Sequence, residues 1–152
     1  MGFDKQYYLN QLKRLDSSKT YVLSGHSVFS YRGMSCSGSY MPFLYTENKM
    51  LDGVTFNPFV SYWYTDNQDV SNYVELLKGT NNIYLPTIER AIIEALRNDL
   101  RCTIEDYFYD DFSRYIEFDM DYKKLCEVAD FYGLSREKLD YYINEAKDYN
   151  SY

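Results

Sequence analysis

The strongest constraint on this chain is a change of hydrophobic period at Pro86. Before it, apolar residues come in short runs bounded by turn signals. After it they recur at i, i+3, i+4 and i+7, the spacing of one helix face. Residues 86–152 therefore read as four successive helices. Thr87 caps the first, with Ile88, Ala91, Ile92, Ala95 and Leu96 inward, and Thr103 caps the second, with Ile104, Tyr107, Phe108 and Phe112 inward. Asp121 opens the third, whose stripe is Leu125, Val128, Ala129 and Tyr132 and whose end is Gly133; Ser135 opens the fourth, with Leu139, Tyr142, Ile143 and Ala146.

Residues 21–85 are β-rich. Strands are predicted over 21–23, 41–46 and 54–64, with Asp52-Gly53 as a turn and Pro58 as a break or bulge. Segments 73–77 and 83–85 flank Gly79-Thr80-Asn81-Asn82 as a hairpin. In residues 1–20 Asp4 can cap a helix with Tyr8, Leu12 and Leu15 on one stripe, and a short helical segment over 26–32 would end at Gly33. The prediction is one α+β domain over residues 1–152, a small antiparallel or mixed sheet covered by a C-terminal layer of about four helices.

A chain of this length can bury roughly 68–70% of the surface its unfolded form exposes, so it needs no staples. Cys36, Cys102 and Cys126 are odd in number and widely spaced, which predicts reduced, buried thiols. With no long apolar run and no apolar segment in the first fifteen residues, a cytoplasmic, membrane-free protein is expected. The net charge is −7, and residues 101–152 hold 13 acidic and 7 basic groups. That balance disfavours direct DNA or RNA binding and favours a protein partner with a basic surface. It leaves oligomeric state open. The 19 tyrosines have two readings, a binding surface or the codon bias of AT-rich coding.

Few constellations carry chemistry. There is a single histidine, His26, beside Ser24 and Ser27, with no nucleophile elbow, no dinucleotide glycine pattern and no phosphate loop. Asp16 with Glu47-Asn48-Lys49 matches the string of a metal-dependent nuclease, and Glu145-Ala146-Lys147 repeats its second half on a helix. The nuclease stands as an alternative; the main expectation is a protein with no catalytic residue, metal or cofactor. The acidic-aromatic run over 105–111 reads either as a solvated helix face or as a phosphate-mimicking surface, with Asp106, Tyr109, Asp110 and Asp111 as candidate partner-binding residues.

Two stretches carry a family resemblance. The run from Tyr21 to Met34, YVLSGHSVFSYRGM, resembles the strand, helix and glycine that open the effector domain of AbiEi-type antitoxins, the abortive-infection family of type IV toxin–antitoxin systems. Further on, Glu89-Arg90-Ala91-Ile92-Ile93-Glu94 is similar to that family's Glu-Arg-Thr-Leu-Leu-Asp helix, with Glu94 in place of Asp and Pro86 three positions ahead of Glu89 instead of adjacent. The likeness spans about residues 21–146. About twenty residues precede it, which leaves no room for the family's winged helix-turn-helix. The resemblance implies a stand-alone antitoxin domain that counteracts a nucleotidyltransferase toxin by binding, with Glu89, Arg90 and Glu94 as signature positions and candidate partner-binding residues; as an i, i+4 pair, Arg90 and Glu94 read more readily as anchoring their helix to the sheet. A mobile-element inhibitor of a host defence nuclease, such as an anti-CRISPR, is the alternative that the acidic tyrosine-rich surface suggests.

Overall fold

The computed structural model of the chain describes residues 5–34, 42–56, 60–66 and 68–149. Among them six strands form one mixed sheet: β1 (Tyr21–Leu23), β2 (Phe43–Thr46), β3 (Thr55–Phe56), β4 (Val60–Tyr64), β5 (Val74–Leu76) and β6 (Ile83–Pro86). Their spatial order is β3–β4–β2–β1–β6–β5. The helices are α1 (Lys5–Leu12), α2 (His26–Tyr31), α3 (Ile88–Arg97), α4 (Glu105–Arg114), α5 (Tyr122–Tyr132) and α6 (Arg136–Tyr149). The fold is α+β, with the sheet drawn from the N-terminal half and four helices following Pro86. The expected roles of Asp4, Cys36, Met41 and Pro58 lie outside the described residues.

Two of the five strand pairings are parallel, β1 with β6 and β2 with β4, and the other three are antiparallel. Registers fix which side chains share a face, because successive residues of a strand alternate. Tyr21, Leu23, Leu44, Val60, Tyr62, Ile83 and Leu85 join the main core with the helices. Val22 lies opposite Tyr45 on β2 and Tyr84 on β6, and Tyr45 lies opposite Trp63 on β4. These four form a transverse row on the other face, where Cys102, Phe43 and Val70 also pack. Every residue of β1 and β2 is buried, so the centre of the sheet is covered on both sides.

Three of the four C-terminal helices begin as their caps require. Thr87 Oγ1 accepts from Arg90 N–H at 3.2 Å, Asp121 Oδ1 from Lys124 N–H at 3.0 Å and Ser135 Oγ from Lys138 N–H at 3.1 Å. Gly133 ends α5 in the left-handed region, φ 79°. The expected stripes of α3, α5 and α6 are buried or half-buried.

The expectation for α4 needs correction. Its N-cap is Ile104, with no side-chain cap, and Ile104 and Tyr107 are 39% and 36% exposed. The inward stripe is Phe108, Asp111, Phe112 and Tyr115, the same 3.6 period begun about one turn later, with Asp111 inside it and Ile104 and Tyr107 outside. Beyond α4 the chain makes a π-helical turn, Tyr115–Asp119, that periodicity did not predict. Among the described residues no helix is long and apolar enough to cross a membrane.

Candidate functional site

The signature residues of α3 are structural. Arg90 is 2% exposed, and Glu89 and Glu94 are nearly as buried, so none of the three is presented to a partner as expected. Arg90 Nε donates to Glu94 Oε1, while its terminal nitrogens donate to the carbonyls of Asn72 (2.7 Å) and Asp69 (2.6 Å). The guanidinium also lies over the Tyr132 ring, 5.4 Å from its centroid. Tyr132 in turn donates its hydroxyl to Asp69 Oδ2 at 2.8 Å. Burial works to raise the Asp69 carboxyl, but the Ser71 N–H, the Tyr132 hydroxyl, the Asn72 amide and Arg90 outweigh it and hold it below its ordinary value. One residue earlier, Glu89 accepts from the Tyr115 hydroxyl at 2.8 Å and faces Lys124 Nζ at 3.6 Å. The pair thus ties α3 to the β4–β5 loop on one side and to the α4–α5 connection on the other.

The acidic-aromatic run divides in the same way. Asp111 is 1% exposed, because it falls on the inward stripe of α4 between Phe108 and Phe112, and it does not belong to a binding face. Asp106 is exposed, and Tyr109 and Asp110 are half-buried at the surface. Helix α6, packed beside α4, completes this face. Tyr149 stacks on Tyr109, with centroids 5.5 Å apart and planes 23° from parallel, and points its hydroxyl at Asp106 Oδ1 (3.3 Å). Burial, followed by the neighbouring Tyr142 phenol and then Glu105 and Glu145, pushes the Tyr109 hydroxyl up to about 12, so the phenol stays protonated. On α6, Tyr141, Glu145 and Tyr149 recur at i, i+4, i+8 beside the apolar stripe, but that spacing does not say that α4 packs there. Glu105 and Asp106 also occupy the first turn of α4, where carboxylates oppose the positive helix end and replace the missing cap.

His26 and its serines form a second buried node. His26 has no exposed surface; its backbone N–H donates to Thr103 Oγ1 (3.0 Å), and Thr103 Oγ1 lies 2.8 Å from Nδ1. The Ile104 N–H also faces Nδ1, at 3.4 Å, so this nitrogen is the acceptor and the ring proton sits on Nε2. Ser24 Oγ bonds the Cys102 carbonyl (2.9 Å), and Ser27 Oγ accepts from Phe43 N–H (2.8 Å). Ser24 thus ties the end of β1 to the loop before α4, and Ser27 ties α2 to β2. Burial holds the imidazole down at about 4. The sign follows directly: below its ordinary value of 6.5 the unfolded chain binds a proton that the folded chain refuses, so stability falls as pH drops from 6.5 towards 4. The full loss is roughly 3 kcal/mol. In His26→Asn, which keeps an acceptor for Thr103, the stability difference between about pH 7 and about pH 4.5 should shrink by about 2–3 kcal/mol in urea titrations. An unchanged difference would place the acid sensitivity elsewhere.

The nuclease string is not assembled. Asp16 Oδ1 accepts from Ser18 N–H (2.9 Å) in its own turn, and Lys49 Nζ lies over the Tyr64 ring at 5.3 Å. Glu47 Oε1 accepts from Gln68 N–H (2.8 Å) and lines a cleft of about 500 Å³ whose walls include neither Asp16 nor Lys49. Among the described residues no three His, Cys, Asp or Glu side chains are grouped to hold a metal ion. No protein-family model, curated protein or solved structure matches the chain.

Proposed function

We propose that this protein acts by binding, as an antitoxin-type domain that receives a basic protein partner on the outward face of α4 and α6. The observation that carries the reading is the grouping of Asp106, Asp110, Glu105 and Glu145 around the stacked Tyr109–Tyr149 pair. Carboxylates there steer a basic surface, and the two phenol rings offer flat, rigid area at low conformational-entropy cost. Of the α3 residues, Glu89 bears on this face only indirectly, through the Tyr115 hydroxyl at the end of α4.

Co-expression tests the antitoxin assignment. The protein should restore growth of cells carrying a nucleotidyltransferase-type toxin, and Asp106→Asn with Asp110→Asn should reduce that rescue. With the purified partner, the double variant should bind about tenfold more weakly at low salt, mostly through a slower on-rate, with the difference fading as the Debye length drops below about 8 Å. Equal binding by both proteins would remove the α4/α6 face from the interaction. Absence of rescue by well-folded protein would remove the toxin as partner, whereas salt-sensitive capture of a defence nuclease would support an inhibitor instead.

A further inference from the structure

Strand β5 closes one end of the sheet, and among the described residues no strand lies beyond it. Its hydrogen-bond phase is set by its neighbours: Leu77 N–H donates to Ile83 O at 2.8 Å, and Thr87 N–H donates to Tyr73 O at 2.9 Å. In an antiparallel pair bonded residues alternate, so positions 73, 75 and 77 direct their backbone groups at β6. Val74 and Leu76 direct theirs away from the sheet. Natural edges are blunted by brevity, charge, proline or a bulge; β5 is three residues long and carries Glu75, but it has no lysine, proline or bulge against strand addition.

The side chains at this edge are also specific. Leu76 lies opposite Tyr84 and extends the transverse row Trp63, Tyr45, Val22, Tyr84 to the last strand, where it remains 47% exposed. Glu75 points to the opposite face, its side chain 64% exposed. Arg32 reaches it at 3.4 Å, but that guanidinium is already bonded to the Pro86 carbonyl through Nε (2.9 Å) and a terminal nitrogen (2.6 Å). Glu75 is therefore largely available to another cation.

We propose that β5 is a docking edge for an extended segment of a protein partner in which a lysine or arginine stands between two apolar residues. The outward groups of Val74 and Leu76 supply the main-chain bonds of strand addition. The apolar side chains continue the row beyond Leu76, and the basic one meets Glu75 on the other face. A second copy of this chain fits less well, since two-fold pairing about Glu75 sets that carboxylate against its own equivalent. This edge is distinct from the α4/α6 face and does not depend on it.

The test uses a synthetic peptide of about seven residues with arginine between two valines, and a counterpart with glutamate in the arginine's place. Backbone amide shifts of 74–77 should move on titration with the arginine peptide, and the glutamate peptide should bind at least about tenfold more weakly. Leu76→Pro removes an amide that does not bond β6, so the sheet should persist while binding is lost. If that variant misfolds, the wild-type protein is titrated instead with a peptide N-methylated on its inward amides, which should not bind. The proposal would be overturned by no binding of the arginine peptide, by equal binding of the glutamate peptide, by undiminished binding after N-methylation or by folded Leu76→Pro, or by shifts confined to α4 and α6. Concentration-dependent dimers abolished by Leu76→Pro would also overturn it, in favour of a second copy.

Discussion

Arg90→Ala should destabilise the protein by about 3–5 kcal/mol, the cost of leaving a buried charge without its counter-ion. The carboxylate left behind is Glu94, 8% exposed, and the same change strips the donors from the Asp69 and Asn72 carbonyls. For a domain of this size each kcal/mol moves the midpoint by about 2–4 °C, so a fall of roughly 10 °C in thermal unfolding is expected. Lysine should not rescue, since one ammonium cannot reproduce a planar fork that serves Glu94 and two carbonyls at once. In Arg90→Met with Glu94→Leu the loss should be smaller than in Arg90→Ala, because neither charge is then stranded. Urea titrations of the three variants separate these outcomes, and a cost below about 1 kcal/mol for Arg90→Ala would show that the clamp does not hold the β4–β5 loop.

The clamp also shows which parts of the molecule its sequence makes legible. Helices α5 and α6 follow their caps and stripes because each buries one face, the condition under which a 3.6 period stays visible; α3 is buried from Ile88 to Leu96, and its period stays legible because Glu89, Arg90 and Glu94 fill the side away from its apolar stripe. Helix α4 breaks the pattern because its surroundings come from distant parts of the chain. Phe108 meets Phe29 of α2 edge-on at 6.4 Å, and Thr103, the natural cap by position, is recruited 77 residues away by His26. A local rule sees neither partner. The inward stripe also includes Asp111, which composition alone would place in water.

The sheet was legible as segments but not as a topology. Short apolar and aromatic runs bounded by turn signals identify β1, β2, β4, β5 and β6, yet nothing local says that β1 lies between β2 and β6, parallel to the second and antiparallel to the first. Of the binding face, the α4 half was readable as a dense run of charge and aromatics. The α6 half needed the packing of the two helices, which brings Tyr149 onto Tyr109. The motif most suggestive of function, Glu89-Arg90 with Glu94, proves to be the most deeply structural, since buried charges satisfied from several segments require fixed geometry as much as an active site does.

Gly25→Ala is expected to be about as damaging as Arg90→Ala, for steric reasons. Gly25 precedes α2 with φ 52° and ψ −135°, a combination essentially restricted to glycine, which alone costs another residue about 1–3 kcal/mol. A β-carbon added there would overlap Thr103 Cβ and Oγ1 and lie 3.0 Å from the Cys102 carbonyl oxygen. Neither neighbour can move freely: Thr103 is held by His26, and the Cys102 carbonyl accepts from Ser24. Overpacking of this kind adds about 1–3 kcal/mol, so the total should reach about 2–6 kcal/mol. Combining Gly25→Ala with Thr103→Gly relieves the overlap but not the backbone strain, and also removes the Thr103 bonds to His26. Measured against Thr103→Gly alone, the added cost of Gly25→Ala should fall to about 1–3 kcal/mol. If that cost were the same in both backgrounds, the close approach of the two loops would play no part, and the glycine would be required for its dihedral angles alone.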